Sequence, residues 1–193
     1  AVGVESWEAL LPVRIKRTGL WVVPGLGQSS WSEQLLYHVL GEMSPLKQCV
    51  IDADALNLLA SGNLSLPVDL MTGTDATWVL TPHPGEAARL LDTSIDVIQA
   101  DRLGAVAALQ NKYGGTVVLK GAGSLVLTNA GQLFVCNAGN AGMATGGMGD
   151  VLSGLIGGLL AQGLTPADAA CLGVALHAMA GDLAVAESGM RGL

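Results

Sequence analysis

The sequence predicts an α/β fold in which helices alternate with the strands of a parallel sheet. Short apolar segments, at residues 19–24, 47–51, 77–80 and 116–119, alternate with segments of helical periodicity. Clusters of glycine and polar residues follow the strands directly, at residues 24–28, 52–57, 81–86, 120–124 and 137–150. Because open α/β sheets bind ligands outside the carboxyl ends of their strands, we expect these five clusters at one edge of the sheet.

Turn residues and periodicity predict the remaining elements. Two further strands are expected at residues 125–128 and 132–136, joined by a turn that contains Asn129 and Gly131. Thr165 is a natural N-cap, with Pro166 at the first helical position. Helices are expected over residues 5–11, 95–111, 150–162 and 166–187, with others ending near residues 40, 60 and 91.

Composition bounds the class of protein. The chain has 193 residues, of which 50% are hydrophobic and 13% charged, so we expect one folded domain with a substantial core. The formal charge of −7, with scattered basic residues, argues against a nucleic-acid surface. The longest uncharged apolar stretch, residues 151–167, is interrupted by Gly163 and Pro166, and residues 1–20 lack the pattern of a signal peptide. Three distant cysteines fit a reducing cytoplasm, and no membrane attachment is expected.

The glycine-rich segment from Asn137 to Asp150 is the strongest chemical signal. It holds five glycines and runs directly into the apolar segment Val151–Leu160. The N-terminus of such a helix offers backbone N–H groups and the positive end of the helix dipole to an anion, and a phosphate is the expected one. Asp150 stands beside this cradle, where a carboxylate can orient or deprotonate an attacking hydroxyl. These residues predict phosphoryl transfer from a nucleotide.

The cluster after the second strand contains two acids and an amide. Asp54 is a possible N-cap of the following helix, but three polar groups are more than a cap needs, which favours a ligand-facing role for Asp54 or Asn57 over Asp52. The Gly25 and Gly27 pair is compatible with a tight turn or with a ligand contact.

The cluster after the third strand contains a histidine between two prolines. This setting at a strand end indicates a functional role for His83. Glu86 lies in the first helical turn, where the dipole alone favours an acid. His177 lies in an apolar helix and is interpreted as a packing residue. Lys120 lacks the glycine spacing of a Walker A motif, so a P-loop is excluded.

Four segments carry a resemblance to a known family. DADALN (52–57), TPHPGE (81–86), VVLKGAGS (117–124) and GNAGMATGGMGDVLSG (139–154) resemble successive motifs of the ADP/ATP-dependent NAD(P)H-hydrate dehydratases, over residues 20–185. The resemblance implies a ribokinase-like, three-layer αβα fold with a mostly parallel central sheet. It also implies cofactor repair: the S epimer of NADHX or NADPHX is phosphorylated on its 6-hydroxyl by ADP, or by ATP, with Mg²⁺, and then loses phosphate to give NADH or NADPH.

The resemblance also implies roles for individual positions. Asp150 would be the catalytic base and would contact the substrate, and Glu86 is a candidate metal ligand. The predicted substrate contacts are Gly27, His83, Asp54 and Asn57. The predicted nucleotide contacts are Lys120, Gly121, Ala122, Gly123, Ser124, Gly146, Gly147 and Gly149.

The chain departs from the family pattern in two ways. Val23 replaces the first glycine of a Gly-Pro-Gly-Leu-Gly segment, and the family's upstream strands and glycine-rich segment are not found. We therefore expect residues 1–193 to form a single but partial domain that lacks the N-terminal part and the extreme C-terminus. An upstream NAD(P)H-hydrate epimerase domain is compatible with this, and a homo-oligomer would cover exposed sheet edges.

Two alternatives remain open at this point. A ribokinase-like kinase of a vitamin precursor would share the glycine–aspartate motif, although such an enzyme has no reason to combine DADALN with TPHPGE. A non-catalytic nucleotide-binding module is the second alternative.

Overall fold

The computed structural model describes residues 19–22, 26–41, 48–62 and 77–192. The predicted helix at 5–11 and the end of the predicted strand at 19–24 lie outside these ranges. The described strands are β1 (Gly19–Val22), β2 (Gln48–Ile51), β3 (Trp78–Leu80), β4 (Thr116–Leu119), β5 (Ser124–Leu127) and β6 (Leu133–Cys136). The described α-helices are α1 (Ser30–Gly41), α2 (Asp54–Ala60), α3 (Pro84–Leu90), α4 (Ile95–Ala100), α5 (Arg102–Tyr113), α6 (Met148–Ala161) and α7 (Pro166–Ser188).

The described strands form one sheet whose spatial order is the order of the sequence, β1-β2-β3-β4-β5-β6. Strands β1 to β4 pair in parallel, and β5 and β6 continue the sheet as antiparallel strands. The prediction of a mostly parallel sheet is therefore confirmed. Because β1 to β4 point the same way, the loops that follow them emerge at one edge.

Alternating strand residues face two separate cores. Ile51, Leu80 and Leu119 pack with residues of α1 to α5 on one face of the sheet. Val50, Val79, Val118 and Val126 pack with α6 and α7 on the other. Two helical layers around one sheet give the three-layer αβα arrangement that the resemblance implied.

Helix α7 is long and apolar enough to cross a membrane when judged by length and composition alone, with a mean hydropathy of 1.6. Its inner face is buried against the sheet and α6 through Ala169, Ala170 and Val174. At Gly173 a Cβ atom would lie 2.7 Å from the Cγ1 atom of Ile156, so α6 and α7 approach closely there. Helix α7 thus packs on the sheet through one face, and 33% of its apolar window is buried.

The prediction of a single helix over residues 95–111 is wrong. The chain forms two helices, α4 and α5, that are separated at Asp101, whose backbone (φ −140°, ψ 78°) is not helical. The Asp101 carboxylate accepts a hydrogen bond from the Gly104 N–H at 2.8 Å and so caps α5. Both helices pack on the same face of the sheet, so the apolar periodicity continues across the break. The periodicity alone therefore does not reveal that the helix is interrupted.

We expect Asp101→Ala to lower the free energy of unfolding by about 1 kcal/mol, because α5 loses its N-cap acceptor. Urea unfolding followed by circular dichroism measures the change. Gln99→Ala is the matched control, since Gln99 is an exposed residue of α4 and its replacement should change stability by less than about 0.5 kcal/mol. Equal effects of the two substitutions would contradict the capping role.

Candidate active site

Lys120 lies where the ends of β2, β3 and β4 meet the beginning of α6. Its Nζ atom is 2.9 Å from Oδ1 of Asp52 and 3.8 Å from Oε2 of Glu86. Its backbone N–H donates to the carbonyl of Pro82 at 2.9 Å. A Cβ atom at Gly149 would lie 3.1 Å from the same Nζ, so the ammonium rests against the first turn of α6. Lys120, Glu86 and Gly149, which are far apart in sequence, are thus brought together.

Asp52 is the buried acceptor in this cluster, with 1% of its surface exposed. Its carboxylate accepts hydrogen bonds from the Lys120 ammonium, from the Ala53 N–H at 2.9 Å and from the Ser153 hydroxyl at 2.5 Å. Asp52 therefore ties the end of β2 to β4 and to α6. From the sequence, Asp54 and Asn57 were favoured over Asp52 for a ligand-facing role.

The first turn of α6 carries Asp150. Gly147 is the N-cap, with φ 91°, a conformation that side chains disfavour. Gly146, Gly147 and Asp150 are exposed, so the positive end of the helix is open to a ligand. An anion bound at this N-terminus would be close to the Lys120 ammonium, because that ammonium contacts Gly149.

The glycine-rich loop before α6 is held by α7. The Asp182 carboxylate accepts a hydrogen bond from the Gly139 N–H and another from the Asn140 side-chain amide, both at 2.9 Å. These hydrogen bonds lower the pKa of Asp182. The Asn140 side-chain oxygen in turn accepts from the Gly142 N–H at 3.0 Å. No sequence pattern indicated Asp182, which is 43 residues from Gly139 and lies in a mostly apolar helix.

The loop from Lys120 to Ser124 is held by Arg102, at the start of α5. Its guanidinium donates to the carbonyls of Leu119 at 3.3 Å and Lys120 at 3.4 Å, and also to that of Ala122. At Gly121 the φ angle is 141°, and a Cβ atom would lie 3.1 Å from Nη2 of Arg102, so both the backbone conformation and the close approach of the guanidinium favour glycine. No local sequence pattern around Arg102 indicates that its side chain contacts this loop, so Arg102 was not predicted.

His83 is the N-cap of α3. Its Nδ1 atom accepts hydrogen bonds from the Gly85 N–H at 2.9 Å and the Glu86 N–H at 3.3 Å, while Oε2 of Glu86 accepts from the His83 N–H at 2.8 Å. In the neutral ring this places the proton on Nε2. Burial lowers the pKa of His83 below 6.5, an effect that Glu86 opposes and Lys120 reinforces. The side chain remains 49% exposed at the sheet edge.

Glu86 is the predicted metal ligand, and its side chain lies in the cluster around Lys120. Glu86 is 5% exposed, and its carboxylate is engaged in the α3 cap while facing Lys120. Within residues 19–22, 26–41, 48–62 and 77–192 there is no group of three His, Cys, Asp or Glu side chains suited to a metal ion. The cluster fits a Mg²⁺ ion whose ligands are mainly phosphate oxygens and water, as is common for Mg²⁺ with nucleotides.

The predicted substrate contacts fall into two groups. The Gly27 N–H donates to Oδ2 of Asp54 at 2.9 Å, so the loop after β1 is tied to the start of α2. Asp54 is the first residue of α2 and Ala53 is its N-cap, so Asp54 is not the cap. The Asn57 side-chain oxygen accepts from Nε of Arg89 at 2.7 Å, and both residues line a cavity of about 640 Å³.

Comparison with known proteins identifies the family. The family model described as NAD(P)H-hydrate dehydratase matches residues 14–193. The chain belongs to the NAD(P)H-hydrate dehydratase family. The predicted family is therefore confirmed.

Two curated relatives illustrate the match. The chain is 48% identical to the bifunctional NAD(P)H-hydrate repair enzyme of Coxiella burnetii over 98% of its own length and 36% of that protein. It is 44% identical to the ADP-dependent (S)-NAD(P)H-hydrate dehydratase of Neisseria meningitidis over 88% of its own length and 56% of that protein. The chain thus spans between about a third and somewhat over half of these two relatives.

Solved structures support the fold of the family member described here. A ribokinase-like superfamily protein of Enterococcus faecalis superposes with a TM-score of 0.78 at 34% identity, covering 95% of this chain and 61% of that one. The ADP/ATP-dependent NAD(P)H-hydrate dehydratase of Bacillus subtilis, crystallised with ATP and Mg²⁺, gives a TM-score of 0.77 at 27% identity, covering 91% and 59%. The predicted ribokinase-like fold is confirmed.

We expect the dehydratase-family chain to lose stability as the pH falls below about 6.5, because folding lowers the pKa of His83 and the unfolded state then binds more protons. Stability linked to His83 is present above the unfolded pKa and is lost as the pH falls through the folded one. Replacement by Asn keeps a capping oxygen without a titrating group, so His83→Asn should flatten this acid dependence. Urea unfolding at a series of pH values measures it, and identical pH profiles for the two proteins would contradict the contribution of His83 to the acid dependence.

Proposed function

We propose that this protein catalyses the ADP-dependent dehydration of the S epimers of NADHX and NADPHX, which restores NADH and NADPH. The carrying observation is the placement of Lys120 against the first turn of α6, the turn that bears Asp150, in a chain that matches the dehydratase family over residues 14–193. A phosphate-binding helix terminus, a cation and an exposed carboxylate are the groups that phosphoryl transfer to a hydroxyl requires.

The first step is phosphoryl transfer. Asp150 accepts the proton of the substrate 6-hydroxyl while that oxygen attacks the β-phosphorus of ADP, and the bond to the bridging oxygen breaks to release AMP. Lys120 and the N–H groups at the start of α6 stabilise the charge on the transferring group. A Mg²⁺ ion, when bound to the donor phosphates, neutralises part of their charge.

The second step is elimination. The bond between C6 and the phosphorylated oxygen breaks, phosphate leaves with the electron pair, and loss of the proton from C5 restores the ring double bond. The balance is NADHX and ADP giving NADH, AMP and phosphate. No water molecule is consumed or released, because the 6-hydroxyl oxygen leaves as part of the phosphate.

The proposed contacts to the hydrate and to the nucleotide lie on different parts of the carboxyl edge of the sheet. Gly27, His83, Asp54 and Asn57 are proposed to contact the hydrate, because β1, α2 and α3 place them on the side of the edge away from β5. The loop from Lys120 to Ser124, with Gly146, Gly147 and Gly149, is proposed to hold the donor nucleotide. Arg102 and Asp182 hold the backbone of the two loops that are proposed to bind the nucleotide.

The proposed function is tested by incubating the protein with NADHX and ADP and following the near-ultraviolet absorbance of NADH. Recovery of NADH from the S epimer, with release of AMP, is expected. Failure to recover NADH with either ADP or ATP would overturn the dehydratase assignment. Phosphorylation of a vitamin precursor instead would establish the kinase alternative, and nucleotide binding without any turnover would establish the binding module.

We further propose that the protein acts in the cytoplasm as a homo-oligomer, with an epimerase domain joined to it as in the bifunctional relatives. The oligomer is supported by β6, at one end of the described sheet, where Leu133, Phe134 and Val135 are 43%, 46% and 60% exposed. An apolar edge strand is a surface that proteins usually cover.

We expect Asp150→Asn to reduce kcat by about 10²–10⁴-fold, because the general base is lost. ADP affinity should change little, since phosphate contacts come mainly from backbone N–H groups and Lys120. Isothermal titration calorimetry and the NADH assay measure the two quantities. Asp168→Asn is the matched control, since it removes the same charge from the first turn of α7 and should leave kcat unaltered. A collapse of ADP binding in Asp150→Asn would contradict the proposed division of roles.

We expect Val135→Lys to shift the protein toward a smaller species in analytical ultracentrifugation, because a buried lysine would destabilise an apolar interface at β6. Gln132→Lys, which introduces the same charge at an exposed polar position next to the strand, serves as the control. An unchanged sedimentation profile for Val135→Lys would exclude β6 from any oligomer interface.

A further inference from the structure

We propose that Asp52 is a positioning residue, which holds the Lys120 ammonium and the first turns of α6 in one fixed arrangement. This inference rests on the proposed function for its kinetic consequence, but its structural part concerns Asp52, Lys120 and Ser153 alone. Asp52 does not itself contact the reacting groups, because it is 1% exposed and lies behind Lys120.

The first half of the proposal is the restraint on Lys120. A lysine side chain has many rotamers, and fixing it in one of them costs conformational entropy. Here the Lys120 side chain is only 16% exposed, and its Nζ atom lies 2.9 Å from Oδ1 of Asp52 and 3.8 Å from Oε2 of Glu86. Asp52 is the closer carboxylate, so it sets the position of the ammonium beside Gly149 before any ligand arrives.

The second half is the restraint on α6. Oδ2 of Asp52 accepts a hydrogen bond of 2.5 Å from the hydroxyl of Ser153, which is fully buried. Ser153 lies four residues after Gly149 and three after Asp150, so it is their neighbour on the helix surface. The Thr81 hydroxyl, 3.3 Å from that of Ser153, extends the contact to the end of β3. One carboxylate therefore fixes both the cation and the helix that bears the proposed base.

The charge of Asp52 has a distinct consequence for ligand affinity. A carboxylate behind Lys120 repels a phosphate bound in front of it, while it keeps the ammonium in place. Removing the charge alone should therefore disturb the geometry needed in the transition state without weakening the bound ground state of ADP. Loss of kcat with unchanged or tighter ADP binding is the signature of positioning, whereas local unfolding would weaken both.

The kinetic test is a double-mutant cycle on Asp52 and Lys120. Asp52→Asn keeps the shape and the acceptor for Ala53, and we expect it to lower kcat about 10–100-fold, the scale of a small misplacement of a catalytic group, with an ADP affinity equal to or above that of the wild type. In a Lys120→Met background, Asp52→Asn should lower kcat by a clearly smaller factor than in the wild type, because the part of its effect that acts through Lys120 is already absent and only the part that acts through Ser153 remains. Multiplicative losses, or a parallel loss of ADP affinity, would overturn the proposal.

Two comparisons exclude a general stability effect. Thr116→Val removes a buried hydroxyl at the opposite end of β4 and should leave kcat unchanged. If Asp52→Asn does not fold, Ser153→Ala takes its place, since it frees Oδ2 of Asp52 without removing a charge. Because Ser153 and Lys120 share the Asp52 carboxylate, Ser153→Ala should lower kcat by a smaller factor in the Lys120→Met background than in the wild type, and a multiplicative loss would again overturn the proposal.

A readout without turnover separates this proposal from the proposed function. Acetic anhydride acetylates free lysine amines, and peptide mass spectrometry reports the extent at each lysine. We expect acetylation of Lys120 to rise several-fold in Asp52→Asn, with that of Lys112, an exposed residue of α5, as the internal reference. An unchanged rate at Lys120 would refute the restraint. A wild type without NADHX activity would refute only the proposed reaction.

Discussion

The carboxylate of Asp52 is the group on which the arrangement of the site depends. A buried charge is stable only when it is paired and its remaining lone pairs are satisfied. Asp52 meets this requirement with a lysine from the end of β4, a serine from α6 and the N–H of Ala53. Removal of one partner would leave a buried charge uncompensated, so the strand ends and the helix are held in a single relative position. The same contact that satisfies a folding requirement also places the Lys120 ammonium at the position where we propose that a phosphate binds.

The loops that we propose to bind ligands share one arrangement, in which side chains from neighbouring helices hold the backbone on one side and the other side is open to solvent. Arg102 binds carbonyl groups of the loop after β4, Asp182 binds N–H groups of the glycine-rich loop, and His83 caps α3 with its ring edge exposed. Glycine-rich backbone is entropically costly to order. Anchors from neighbouring helices supply that order before a ligand binds, which reduces the cost of binding.

Most of the fold follows from local patterns. Strand residues such as Val79 and Leu80 alternate between the two cores, and the short strands followed by helices imply parallel pairing with crossover helices. The exception was the region around Asp101, where one apolar period spans two helices. Periodicity reports which face is buried, whereas the break depends on a side-chain cap, and a single aspartate in a helical pattern is a weak signal of one.

The sequence by itself determined the family, the order of the elements and the edge of the sheet at which the polar and glycine-rich clusters lie, because the alternation of strands with helices and the glycine content are local properties of the chain. Only the tertiary structure decided which groups meet at that edge. Asp52 and Lys120 are 68 residues apart, and Asp52 and Ser153 are 101 apart. Their contact depends on the register of β2, β3 and β4 and on the packing of α6 against the sheet. No local pattern encodes that register. The sequence therefore favoured Asp54 over Asp52, whereas the fold places Asp52 at the centre of the cluster with Lys120 and Ser153.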